Sequence, residues 1–340
     1  MGKYLRKFET NADYKSAKDS LIKPNVSYIV EGNTVEYEPV PPPFFCKLTL
    51  NNGEVVELEG SGELKSAMTS SYKSTLVSAE IGALCTSIGA QAFYACSGLT
   101  SIEIPSGVTS IGVEAFSDCS GLTSIEIPSG VTSIGVEAFS GCTSLTSCTI
   151  GSGVTMISEY AFHQCYSLTS IDIPDSVTSI GQYAFYNCRS LTSIEIPSGV
   201  TSIGKAAFYG CRSLTSIEIP SGVTSIGNAA FQLCTGITSI VIPDSVTSIG
   251  QSAFNSCSGM TSVTIGSGVT YIYNYAFGDC KSLTSITSNR KTAPSIQNTT
   301  FQYVKAGGTL IVPSGSSGYD KWMGTGNWYL GKYNWTKVEQ

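Results

Sequence analysis

From Leu76 to Ser282 the chain repeats one pattern of apolar and polar positions every 23 residues, nine times over and without insertion. Two columns fix the period: phenylalanine runs from Phe93 and Phe116 to Phe277, and cysteine from Cys96 and Cys119 to Cys280. Self-similarity at such a period marks a solenoid, in which each unit buries its apolar side against its neighbours. In residues 99–121 the apolar positions are Leu99, Ile102, Ile104, Val108, Ile111, Ala115, Phe116 and Cys119, with Ser, Thr, Gly or charged residues mostly between. Ser101-Ile102-Glu103-Ile104 alternates with period two, which predicts a half-buried strand. Pro105 lacks an N–H for a parallel ladder and ends or bends that strand. Ile104-Pro105-Ser106-Gly107, with Pro second and Gly fourth, suits a type I turn.

Residues 108–111 read as a second, shorter strand. Ala115, Phe116 and Cys119 stand at helical spacing, so residues 113–120 are expected to form a turn or two of α- or 3₁₀-helix. Gly112 recurs in most copies, but Ser158 and Tyr273 occupy its column, which argues against a strict need for positive φ. Stacked units give a parallel sheet at about 4.8 Å per strand. Helices pack about 8–10 Å apart, so a helical edge would splay and leave the sheet on the concave side.

The pattern L-x-x-I-x-I-P-x-x-V-x-x-I-x-x-x-A-F-x-x-C resembles the 23-residue leucine-rich repeat of BspA-like bacterial surface proteins, over residues 76–282. The tail from Leu283 resembles that family's terminal cap. The resemblance implies an α/β solenoid: a right-handed, curved leucine-rich-repeat array, with a parallel sheet on its concave side and short α/3₁₀ turns on its convex side. It also implies display at the cell surface or outside the cell, often as an adhesin for host or bacterial surface proteins. It carries over no catalytic residue, because the shared motif is all core and turn.

Outside the array, four segments are expected: 1–43 as a possible attachment module, 44–75 as an N-terminal cap, 76–282 as the repeats and 283–340 as a C-terminal cap. Residues 10–21 pattern as a helix, 26–30 and 35–37 as a hairpin, and Pro41-Pro42-Pro43 as a stiff break. A second hairpin is predicted at 47–50 and 55–58, and 64–72 reads as a short helix leading into the first repeat. In the tail, 309–312 should be a strand and 319–323 a short helix. The three tryptophans, Trp322, Trp328 and Trp335, all fall there, either as a plug over the last rung or as an exposed anchoring surface. No run of 18 apolar residues occurs, so no membrane span is expected, and polar residues after Lys3, Arg6 and Lys7 leave no signal peptide in the chain as given.

Lys and Arg number 4 against 13 Asp and Glu within 76–282, an acidic balance that argues against nucleic acid. One candidate surface is the column between the strand isoleucines: Glu80, Glu103, Glu126, Asp172, Glu195 and Glu218, with Thr149 among them. It could be a solvated face, a seat for a basic protein, or a bridge for Ca²⁺, which wants six to eight oxygens. The other candidate is where the copies stop being copies. Tyr160, His163 and Tyr166, then Tyr183, Tyr186 and Arg189, then Tyr209 and Arg212 occupy three columns that elsewhere hold mainly small polar residues. These are residue types enriched in binding hot spots, though they could equally stack on one another as ordinary surface.

The nine ladder cysteines share one inward position and read as small apolar thiols rather than bridges or metal ligands. The single histidine, His163, has no acid at a readable spacing, and no phosphate loop, HExxH or GxSxG is present, so no catalytic residue, metal or cofactor is expected. The expectation is a non-catalytic, surface-displayed binding scaffold whose partner is a host-matrix or bacterial-surface protein. The alternative is an assembly component of a bacterial or phage surface structure.

Overall fold

The computed structural model describes residues 43–326 and 329–340, together with the backbone of three short strands before them. The chain divides into two compact units, Met1–Phe44 and Phe45–Gln340. In the first, Tyr28–Val30 pairs antiparallel with Asn33–Val35 and parallel with Arg6–Phe8. The hairpin is thus present, with its second strand two residues earlier than its sequence suggests. The helix expected over 10–21 lies outside the described residues, as do Pro41 and Pro42.

The second unit is a parallel-sheet solenoid with little helix, and each 23-residue copy supplies one rung. Two ladders run along it. The first pairs the alternating strands in exact repeat register, as in Ser124↔Ser147, Ile125↔Cys148 and Ile127↔Ile150. The second pairs the two-residue strands, as in Ser110↔Ser133 and Ile111↔Ile134, and continues to Ser295–Ile296. Register follows from the alternation itself, since a slip of one residue would turn every isoleucine to solvent. Outside the strands, threonines extend the ladder: Thr109 Oγ1 donates to the Thr86 carbonyl at 3.1 Å and Thr132 Oγ1 to that of Thr109 at 3.2 Å.

The core is one stack. Phe93 to Phe277 are fully buried, and successive rings lie face to face at 5.2–5.5 Å. Burying each ring removes enough apolar surface to contribute about 1.5–3 kcal/mol, with about 0.5–1.5 more from each aromatic neighbour. All twelve cysteines are buried free thiols. Each ladder thiol from Cys119 to Cys280 donates to the phenylalanine carbonyl of the rung before, for example Cys188 Sγ to Phe162 O at 3.2 Å. Burial pushes the Cys96 thiol up to about 11 and holds the inner thiols well above the ordinary range, so they serve as packing groups and not as nucleophiles.

The edge opposite the first ladder differs from expectation, because residues 113–120 and their equivalents are turns, not α- or 3₁₀-helix. Alternate N–H groups have different partners. Ala92, Tyr94 and Cys96 bond three residues back within their own rung, while Gln91, Phe93 and Ala95 bond across to Val113, Ala115 and Ser117 of the next, at 2.7–2.9 Å. The chain can alternate this way because residues two before and two after each phenylalanine adopt positive φ, as at Glu114 (53°) and Asp118 (60°). Rungs bonded to each other directly keep strand-like spacing on this edge too, which removes the splay that packed helices would have imposed.

The turn after the first strand also sits one residue later than predicted: Val108 N–H bonds to the Pro105 carbonyl, so Ser106 and Gly107 are its central pair. The Gly112 column needs no positive φ, but a Cβ on Gly135 would lie 2.4 Å from backbone atoms of Gly112 and Val113. Glycine is there because rungs approach closely.

At the N-terminal end the hairpin of Cys46–Leu50 and Val55–Leu58 joins the first ladder, antiparallel to Leu76–Ile81, and buries Phe45, Cys46, Leu48 and Leu50. A short helical stretch follows, Ser66–Thr69 then Ser70–Tyr72. At the other end Thr309–Val312 is a strand as predicted, whereas 319–323 is a turn. Trp322, Tyr319 and Trp335 are buried there. Trp322 Nε1 donates to Pro294 O at 3.1 Å, Trp335 Nε1 to Lys305 O at 2.7 Å, and the Trp322 ring sits 5.2 Å from Phe301. These aromatics are a plug, while Trp328 lies outside the described residues. The final strand, Thr336–Glu339, puts Lys337 and Glu339 in register with the buried Leu310 and Val312. Charges in core-facing columns blunt a sheet edge that would otherwise template further pairing.

The turn geometry carries a test. Ala229 has φ +56°, so Ala229→Gly relieves about 1–2 kcal/mol of left-handed strain against about 0.5–1 kcal/mol of added chain entropy. Urea unfolding should show no loss of stability, or a gain of up to about 1 kcal/mol. A loss of about 1 kcal/mol, the cost of glycine inside a helix, would contradict the turn assignment.

Candidate functional site

Two surfaces come from the repeat geometry. Along the first ladder, Glu80, Glu103, Glu126, Asp172, Glu195 and Glu218 are all exposed, one per rung. Like charges directly opposite each other weaken a ladder. Strand pairing lapses between Glu103 and Glu126 and again across Asp172, Glu195 and Glu218, yet holds for Glu126↔Thr149↔Asp172. It also holds for Glu80↔Glu103, where Lys47 lies opposite Glu80 on the hairpin. The Glu218–Val241 step lapses without a like-charge pair, and charge does not account for it. An open groove of about 640 Å³ lies at the N-terminal end of this ladder, lined by Lys47, Val55, Glu80, Ile102 and Glu103 among others. Among the described residues no group of three or more His, Cys, Asp or Glu is placed to hold a metal ion.

On the opposite, turn-lined edge the structure brings the singled-out aromatics together. Tyr160 and Tyr183 stack at 4.6 Å and 2°. His163 stacks on Tyr186 at 5.1 Å, and Tyr186 on Tyr209 at 4.6 Å. The two stacks touch, since Tyr160 meets His163 edge-on at 5.4 Å and Tyr183 lies 5.8 Å from Tyr186. Arg189 covers the Tyr166 ring at 4.8 Å, a cation–π contact. Arg212 is exposed and makes no ring contact among the described residues. Helical facing is not what juxtaposes these residues: Tyr160 and Tyr183 occupy left-handed turn positions, φ +55° and +56°, and direct rung-to-rung bonding sets their separation.

Stacking from rung to rung covers the ring faces. These rings are half-buried; burial, then neighbouring Tyr183, raises the phenol pKa of Tyr160, and burial, then neighbouring Tyr209, raises that of Tyr186. Burial lowers the His163 pKa, and its Nδ1 lies 3.2 Å from Ser140 Oγ. Among the described residues no carboxylate is bonded to this imidazole, whose contacts are the Ser140 hydroxyl and the stacked tyrosines.

The pattern missed one flanking residue. Lys205 lies 5.3 Å over the Tyr183 ring, and its bond to Tyr183 raises its pKa. It stands three before phenylalanine, a column that holds alanine, valine, glutamate or amides elsewhere, and its positive charge was the available signal.

Residues 68–192 and 178–306 match the family model described as the BspA type leucine rich repeat region, in six copies. Among solved structures, a leucine-rich repeat protein from Bacteroides ovatus is 24% identical with a TM-score of 0.56, over 88% of this chain and 91% of that one. A leucine rich cell surface protein from Faecalibacterium prausnitzii is 28% identical with a TM-score of 0.46, over 82% and 87%. No curated protein matches the chain.

His163 gives a pH test. Its folded pKa lies below the ordinary 6.5, so the unfolded chain takes up the proton first. Stability is therefore full above about pH 7 and falls as pH drops through about 6.5. Urea unfolding across that window should slope for the native chain and flatten for His163→Gln. Equal slopes would show that His163 is not held neutral.

Proposed function

The chain belongs to the BspA-type leucine-rich repeat family, and from that premise we propose that it is a non-catalytic, surface-displayed scaffold that binds a protein partner in the manner of an adhesin. The observation that carries this reading is the strip of Tyr160, His163, Tyr166, Tyr183, Tyr186, Arg189 and Tyr209, with Arg212 at its edge. In the His163 and Arg189 columns these large residues replace the small polar ones of most other rungs, while the Tyr160 column varies elsewhere through Gln91, Glu114, Glu137, Ala229 and Tyr275. The fold does not require them: Ser117, Ser140 and Gly278 stand in the His163 column, and Ser120 and Thr143 in the Arg189 column. Rigid, stacked aromatics lose little entropy on docking, and Tyr and Arg are favoured as interface anchors. The partner expected is a host-matrix or bacterial-surface protein. No helix among the described residues is long and apolar enough to cross a membrane. A second reading, an assembly component of a surface structure attached through residues 1–43, draws on the separate compactness of Met1–Phe44.

The test is a pull-down from extracellular-matrix and bacterial-surface extracts, comparing the native chain with Tyr186→Ser/Arg189→Ser. Serine stands in both columns elsewhere in the array, so the variant should keep its native urea midpoint. A partner held by the native chain and lost by the variant supports the reading. Equal capture moves the site to the acidic column or the caps, and loss of capture on deleting 1–43 alone supports the assembly reading.

A further inference from the structure

Charge along the aromatic strip is segregated. The rungs of Phe116, Phe139 and Phe162 carry Glu114, Asp118, Glu137 and Glu159 on the turn-lined edge, with no cation. The next two rungs carry Arg189, Lys205 and Arg212, with no acid on that edge. Residues 76–282 hold four cations in all, the fourth being Lys281, so three of the four fall within two adjacent rungs. Among the described residues none of these seven charges forms an ion pair. Arg189 and Lys205 rest on tyrosine rings, and Glu114 accepts a hydrogen bond from Gln91 Nε2 at 3.0 Å. The acids crowd one another: burial, then Glu114, Asp118 and Glu159, raises the pKa of Glu137. Such a half is short of countercharge.

We propose that this strip is self-complementary and pairs with a second copy of the chain laid antiparallel across it. The proposal rests on reading the strip as a contact surface and names its partner. A two-fold axis crossing the array at the Phe162 rung sets the Phe116 rung of one copy against the Phe208 rung of the other. Glu114 and Asp118 then face Lys205 and Arg212, Glu137 faces the Arg189 rung, and the Tyr160–His163–Tyr166 rung faces itself, which leaves Glu159 as the one acid with no facing cation. Such an isologous contact uses one patch twice and closes at two copies. A parallel arrangement would set acid on acid and base on base, which costs energy instead of gaining it. Val113 and Val136, 45% and 39% exposed beside the acidic half, add apolar surface to the contact. Five rungs at strand-like spacing span only roughly 20 Å. The contact is therefore narrower than a permanent dimer interface, and association should be reversible and salt-dependent.

Sedimentation equilibrium of the full chain tests this at about 0.05 M and about 0.5 M salt. The expected result is a monomer–dimer equilibrium at least tenfold weaker at the higher salt. Glu114→Lys/Glu137→Lys leaves the strip predominantly basic, with Asp118 and Glu159 its remaining acids, and Arg189→Glu/Arg212→Glu leaves it predominantly acidic, with Lys205 its remaining cation. Each variant alone should remain monomeric, and an equimolar mixture should restore the dimer, a rescue that misfolded variants could not produce. A native chain that is monomeric at low salt, variants that dimerise as well as the native chain, or a mixture that stays monomeric would each overturn the proposal. If the native chain is monomeric while Tyr186→Ser/Arg189→Ser still loses a captured protein, self-pairing fails and the binding reading stands.

Discussion

The structure depends on hydrogen bonds that pass directly from one rung to the next on both edges of the array. A parallel ladder does this wherever strands stack. Here the turns do it as well, because every second N–H of the phenylalanine edge reaches a carbonyl 22 residues ahead, as from Phe185 to Ala207 at 2.8 Å. That constraint holds the edge to a spacing of little more than 5 Å. Phenylalanine rings can then stack at van der Waals distance, and thiols can bond the carbonyls of the rung before. Glycine is needed where backbones approach, as at Gly135, and positive φ where the turn must alternate its bonding.

The same constraint shapes the surface. Side chains one rung apart are forced together, so what a column repeats is amplified. Repeated tyrosine becomes a stack, as at Tyr186 and Tyr209. Repeated carboxylate becomes a run of repulsion, and the first ladder lapses across Asp172, Glu195 and Glu218 but holds beside Lys47. Recognition on such a scaffold is written by a few residues that break the repeat, and this chain concentrates its departures in three rungs on the turn-lined edge.

Much of this was legible in the sequence. The phenylalanine and cysteine columns marked the core, Ser101-Ile102-Glu103-Ile104 marked the strand, and loss of repetition at Tyr160 to Arg212 marked residues that the structure places side by side, Arg212 at the margin. The conformation of the phenylalanine edge was not legible. Ala115, Phe116 and Cys119 have helical spacing, while the left-handed positions hold Glu114 and Asp118, or Tyr183 and Leu233, in place of the glycine that would announce them. The bonds that decide the matter join residues 22 apart, and no local pattern reports them. Segregated charge was present in the sequence too, but its meaning appears only once Glu137, Glu159 and Arg189 are known to share one edge.

Amide hydrogen exchange along the phenylalanine edge tests the central claim most directly. The account predicts that the N–H groups of Phe162, Phe185 and Phe208, and of Tyr160, Tyr183 and Ala206 two residues before each, exchange as slowly as those of the neighbouring strands, because each is bonded to the next rung. Exchange at these amides as fast as in an exposed loop, with only the strands protected, would contradict it.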